Sequence, residues 1–340
     1  MKKNLFSALV IAGCAALSVR AQIGGMINQV DSTQTREQLN QAAQQQLTES
    51  NAVPPLYEGE SSDLGPQSVV QPMPRHTLFE ARADEQLFYS DNVLLTEKNK
   101  INSAVLLSTA EFALAPTPYP LWNGMLAPRV GYQGQWVDYF LNDKRIFGLP
   151  FHLKDLDFSA QSVFADATWT RGHWSFGAGL NAMRLFNTPQ ADSYDPIYDE
   201  LAPNWMARYV LPLCEKSAVS ATYFGDYRFT SIRPQFLEFS AGDANDRTDH
   251  GLLLTYTPVF CKQVVFQPYY QMKYTHFTDY PLGPRNDYLN TVGGGLYWMV
   301  CPNFSVRTFV SYDIQSSGNR FVQDYRKFDG GGGISASIRF

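Results

Sequence analysis

The sequence predicts an all-β protein: a transmembrane antiparallel up-and-down β-barrel of about 12 strands, behind a short helical or disordered N-terminal arm. Three observations carry this reading. From about Leu78 onward, stretches of roughly ten residues alternate apolar and polar side chains with a period of two. The connections between them alternate as well, short then long. Beyond the first residues, no stretch approaches the roughly 20 apolar residues that a spanning helix requires.

The bulk numbers agree. Net charge is −5 and the pI about 5.6, so no basic field points to nucleic acid as a partner. A mean hydropathy of −0.25 looks soluble, yet a polar lumen cancels an apolar exterior in such an average.

The elements follow in order. Residues 1–21 form an export signal: Lys2 and Lys3, an apolar run from Leu5 to Val19, then Val19-Arg20-Ala21 before Gln22. Cleavage after Ala21 competes with a lipobox reading of Ile11-Ala12-Gly13-Cys14, in which Cys14 is acylated. Residues 22–75 read as a Gln- and Pro-rich periplasmic arm. The stretch DSTQTREQLNQAAQQQLTES suits a polar helix with Asp31 or Ser32 as N-cap. Its apolar face (Leu39, Ala43, Leu47) is thin, and NAVPPLYEGESSDLGPQSVVQPMP follows as a linker. A mobile arm is the plainer expectation and a plug inside the barrel the sharper one.

Residues 76–340 make the barrel. In 264–274, Val264, Phe266, Tyr270, Met272 and Tyr274 share one face and Gln267, Gln271 and Lys273 the other. In 304–314, Phe304, Val306, Val310, Tyr312 and Ile314 oppose Ser305, Arg307, Ser311 and Asp313. Stretches 162–169 and 218–229 divide in the same way. The short connections are TRGH, PLCEKS, FCKQ and VCPN. The long ones lie near 92–102, 141–156, 187–203, 230–248, 277–287 and 316–329. Parity puts every short turn on one rim, periplasmic in an outer-membrane barrel, and every long loop on the other.

Alternation alone does not separate a membrane barrel from a soluble sandwich. Aromatic residues near strand ends (Trp136, Tyr139, Trp169, Trp174, Trp205, Tyr209, Tyr297, Trp298) suit interfacial girdles. The strands exceed the length usual in soluble sheets. The strict alternation of GISASIRF up to Phe340 implies a final strand that pairs with the first and removes both edges.

That final strand resembles the assembly signal of Gram-negative outer-membrane barrels, with Ile334, Ile338 and Phe340 in its apolar positions. Tyr89-Ser90-Asp91-Asn92-Val93-Leu94-Leu95-Thr96 is similar to the Y-x-D-N-[IV]-x-L-T opening of a family of bacterial outer-membrane β-barrel porins. The resemblance covers these two segments. It implies an outer-membrane location, the surrounding lipid and the barrel-assembly machinery as partners, and a porin-like role for a small-solute or polymer cargo.

Candidate chemistry is sparse. His173-Trp174-Ser175 fits the H-x-S spacing of lipid A deacylases, but it falls at a short turn, with no acidic partner near in sequence. No catalytic, cofactor or metal site is expected. Cys214, Cys261 and Cys301 fall in successive short turns, where a disulfide and unpaired thiols are both open readings. DSYDPIYDE and GDANDRTD lack full calcium-loop spacing and read as solvated loops. DGGGG at 329–333 lacks a following helix and reads as a site of strand curvature. The expected lumen-lining residues are Glu111, Arg129, Asp166, Arg208, Asp226, Arg228, Lys273, Arg307, Asp313 and Arg339. They mix both signs, which suits a narrow, weakly selective channel or a lumen closed by salt bridges.

Overall fold

The computed structural model describes residues 23–43, 77–140, 144–146, 149–151, 156–187, 196–214, 217–232, 245–261 and 263–340. A helix, α1, covers 23–43. The strands are β1 (Phe79–Ser90), β2 (Ser103–Leu114), β3 (Tyr119–Leu121), β4 (Gly124–Tyr139), β5 (Lys144–Ile146), β6 (Leu149–Phe151), β7 (Phe158–Arg171), β8 (Trp174–Asn187), β9 (Pro196–Cys214), β10 (Ser217–Ile232), β11 (Arg247–Cys261), β12 (Val264–Phe277), β13 (Arg285–Cys301), β14 (Phe304–Ser317) and β15 (Tyr325–Arg339). β3 extends the edge of β4, and β5 with β6 forms a small ribbon in the loop after β4. The other twelve close into an antiparallel ring.

The seam is β1 against β15, in register from Glu80↔Arg339 to Ser90↔Asp329. Phe340 extends it by one residue. Its N–H donates to the Phe79 carbonyl at 3.0 Å, its carbonyl accepts from the Phe79 N–H at 2.9 Å, and the two rings stack at 5.6 Å. Turns between β7 and β8, β9 and β10, β11 and β12, and β13 and β14 all lie on the rim where β1 starts. The long connections share the opposite rim.

Burial is inverted relative to a soluble sandwich. Phe112, Val163, Val292 and Val310 are each more than half exposed, while Asp84, Gln86, Gln267, Arg307 and Asp313 are buried. Apolar side chains that would destabilise a water-facing surface form a continuous outer belt. The polar ones line the interior. The barrel spans a membrane.

Two features of the wall were not expected. Tyr139 and Tyr297 turn inward and are buried rather than joining a girdle. Tyr139 shares its face with Gln135 and Val137, and Tyr297 lies flat over Gly295, where a Cβ would approach within 2.7 Å of the ring. The same arrangement recurs around the lumen: Phe224 covers Gly251, and Tyr269 covers Gly293. Glycines opposite inward rings let those rings lie against the wall and leave the centre free. An aromatic girdle does surround the short-turn rim, where Trp174 packs on Phe176 (5.7 Å) and Tyr209 (4.8 Å).

The YSDN segment has a local explanation. Asn92 is fully buried, donates to the carbonyls of Thr96 (2.8 Å) and Arg326 (3.0 Å), and accepts from the Thr96 N–H (3.0 Å). Asp91 accepts from the Phe328 N–H at 2.7 Å. The motif thus clasps the first long loop to the seam.

Candidate functional site

The lumen is occupied by α1. Closing 12 strands at a spacing of about 4.8 Å and a tilt of about 40° gives a backbone diameter near 24 Å, or about 14 Å clear of side chains. A helix with its side chains is about 10–12 Å across, and 21 residues reach about 31 Å, the depth of the hydrocarbon layer. One helix fills such a tube. Only Gly24 and Gln38 of α1 are exposed.

This differs from the expected mobile arm. The helix is already formed at Ile23, so Asp31 and Ser32 lie inside it rather than capping it. The reason is burial. Ile23, Met26, Ile27 and Val30 extend the helix upstream and pack into an apolar cup of Val105, Leu107, Val137, Phe158, Leu185 and Tyr198 near the long-loop rim. Farther down, Leu39 and Ala43 meet Leu253, Val259, Val265 and Tyr297 towards the short turns. A thin apolar face suffices because most of the wall is polar and meets the helix with matching charges. The signal segment with Cys14, and the linker 44–76, lie outside the described residues.

Three charged residues hold the middle of the helix. Asp31 accepts from Arg228 Nη1 on β10 and Lys273 Nζ on β12, both at 2.9 Å. Arg228 also reaches Asp226 (3.0 Å) and Asp249 (3.2 Å), and Glu200 at 3.5 Å; Arg247 sits 3.3 Å from Asp249. Arg36 donates to Asp329 at 2.8 Å, and Asp329 and Asp313 share Lys327 at 3.2 and 3.4 Å. Glu37 accepts from Gln133 at 3.0 Å. Gln133, on β4, lies six strands round the ring from Lys273, so α1 is gripped from opposite walls. One gap beside the helix, lined in part by Asn28, Asp31, Arg36, Lys273 and Asp313, is a cavity of about 30 Å³, room for roughly one water.

Among the residues expected in the lumen, Glu111, Arg228, Arg307 and Asp313 are buried there. Lys273 and Asp226 join the Asp31 network. Arg129 pairs with Glu111 and stands in register with the half-buried Asp166. Arg307 makes a two-pronged contact with Asp84, each arm 2.7 Å. Arg208 faces inward, half-buried, lower on β9. Arg339 sits at the rim with a largely exposed side chain, 3.2 Å from Glu80. Sequence reasoning missed the helix-borne Asp31, Arg36 and Glu37, and the wall residues Glu200, Arg247, Asp249, Lys327 and Asp329. All five wall residues lie in or next to stretches read as long loops; β9, β11 and β15 start earlier than expected, and the parity of these longer strands turns the five inward.

The other candidates are dispersed. His173 packs edge-on against Tyr209 at 6.1 Å, and Ser175 bonds to Thr170 at 3.2 Å. Cys214, Cys261 and Cys301 are exposed and form no disulfide with one another, and Cys214 Sγ lies 3.0 Å from Ser217 Oγ. Of the acidic loops, Asp199 pairs outward with Arg184 while Glu200 turns into the lumen. Among the described residues no group of three metal-ligating side chains converges.

No protein-family model matches the chain, and no curated protein matches it. Among solved structures it is similar to an outer-membrane channel from Pseudomonas putida F1, at 12% identity and a TM-score of 0.48 over 81% of this chain and 100% of that one. It is also similar to the β domain of the Bordetella autotransporter BrkA (13%, TM-score 0.45, 78% and 100%). The translocator domain of the autotransporter NalP from Neisseria meningitidis matches at 12%, with a TM-score of 0.44 over 91% of this chain and 97% of that one. These are likenesses of shape. The barrel itself is read from its own strand pairing.

Proposed function

We propose that the protein is a porin-like outer-membrane channel held shut by its own N-terminal helix, passing a small solute or an exported polymer when that helix moves. The observation that carries this is α1 lodged along the lumen, with its central contacts polar. Water and ions replace polar contacts at small net cost, whereas a purely apolar seam has no such substitute. In this reading the N-terminal signal exports the chain and the apolar outer belt takes it into the outer membrane. The outward Ile334, Ile338 and Phe340 then form the surface offered to the assembly machinery and to lipid.

Planar-bilayer recordings test the channel. The full chain is expected to give rare, small steps, and a chain lacking 23–43 frequent, larger ones. A deleted chain that is folded, by its heat-modifiable migration, yet electrically silent overturns the reading. The 30 Å³ cavity favours one rival, a permanently closed barrel that acts through its long loops. Silence of both chains supports that rival.

A further inference from the structure

The motif DGGGG is more than a bend. Gly331 pairs with Phe88 on one side and with Phe309 on the other, so β15 separates two inward rings by a single residue with no side chain. A Cβ on Gly331 would lie 2.4 Å from the Phe88 Cβ. Without it the rings close to 5.8 Å between centroids, tilted by 57°, and make a notch open to the lumen. Asp329, two residues along the same face, forms the notch's end and is 1% exposed.

The notch is filled. The Arg36 guanidinium lies 4.6 Å from the Phe88 centroid and 4.4 Å from the Phe309 centroid, and donates to Asp329 at 2.8 Å. Two ring faces and one carboxylate are what a planar organic cation needs: the rings attract it without competing for its hydrogen bonds, and the carboxylate takes its N–H groups. Withdrawing Arg36 leaves Lys327 as the one cation paired with Asp313 and Asp329 among the described residues, a local excess of one negative charge.

The geometry points to a guanidinium-binding station in the channel wall, formed by Phe88, Phe309 and Asp329, which Arg36 occupies while the helix is docked. Its ligands are guanidinium-bearing solutes, free arginine or an arginine-containing peptide, that take the Arg36 position when α1 leaves. This rests on the plug reading for its role in passage, but binding at the notch does not require current.

The test uses the intact chain carrying Arg36→Ala, in detergent, titrated by calorimetry with guanidinium, L-arginine, methylammonium and sodium. Saturable heat is expected with guanidinium and not with methylammonium or sodium, and none with the unsubstituted chain; L-arginine, too large for the space beside a docked helix, is expected to bind the chain lacking 23–43. Adding Asp329→Asn or Phe309→Leu to Arg36→Ala is expected to weaken binding about tenfold, by the loss of a charge-assisted contact in the first and of a ring face in the second. If the Arg36→Ala chain does not fold, the chain lacking 23–43 takes its place. A folded variant that binds nothing, or binds sodium equally, overturns the station; so does binding unaffected by both notch substitutions. Saturable guanidinium binding in a barrel that carries no current keeps the station and removes the channel.

Discussion

The long-loop end of the lumen and its middle hold the same helix by different means. Near the long-loop rim, Ile23, Met26, Ile27 and Val30 sit in an apolar cup. From the next residue onward, over about two turns, Asp31, Arg36 and Glu37 meet charges and amides. The cup supplies affinity without direction, since apolar contact is roughly proportional to area. The ionic middle supplies register, since Asp31 fits only where Arg228 and Lys273 converge. A helix held by the cup alone could slide or rotate; one held by the ionic pairs alone would exchange readily with solvent ions.

Placing a charge in the cup breaks this division most strongly. Ile27→Asp loses the burial of a large side chain and leaves a carboxylate with no partner, a cost of at least about 4 kcal/mol to docking. The helix is expected to leave while the barrel stays closed. Protease cleavage within 23–43, with unchanged heat-modifiable migration, checks it; a helix that stays protected shows that the middle alone suffices.

Next comes the wall itself, where outside and inside differ in sign. Val310→Arg puts a cation into the apolar belt near mid-strand, at about 2–4 kcal/mol of barrel stability. Serine at the same position costs less, because it carries no charge. Urea-dependent folding into lipid vesicles measures both. Equal effects would mean that Val310 faces water rather than hydrocarbon.

How much of this was legible beforehand follows from where the information lies. Strand faces were readable because period two is local: Val310 outward and Asp313 inward follow from ten residues. Rim assignment was readable from connection length. The plug was not, because its polar surface suits water as well as it suits a polar wall, and the wall exists only once β1 meets β15. Asp31 looked like an N-cap since its side chain favours that place; the upstream apolar residues overrode it by burial. Gly331 looked like a bend because the pairing that sets Phe88 and Phe309 on either side of it is long-range. Tyr139 and Tyr297 were placed in the girdle by nearness to strand ends, while parity and Gly295 send them inward.

In the ionic middle, Asp31→Asn keeps the shape and removes the charge. Arg228 retains Asp226, Asp249 and Glu200, so among these cations Lys273 alone loses its ion pair. Docking should weaken by about 1–2 kcal/mol, seen as a moderate rise in channel open time rather than full release. An effect as large as that of Ile27→Asp would mean that the pairs, not the cup, anchor the helix.

The smallest effect is expected at the short-turn rim. Arg339 lies 3.2 Å from Glu80, but its side chain is 66% exposed. Glu80 keeps Arg82 at 3.0 Å and Arg129 at 3.8 Å when Arg339 is lost, so no buried charge is stranded. Arg339→Ala should change barrel stability by less than about 0.5 kcal/mol, within the range of exposed pairs. Deleting Arg129 instead leaves Glu111, buried in the lumen, without its ion pair and should cost several times more. Side-by-side urea curves of the two variants decide this: equal midpoints would show that the lumen is as wet as its rim.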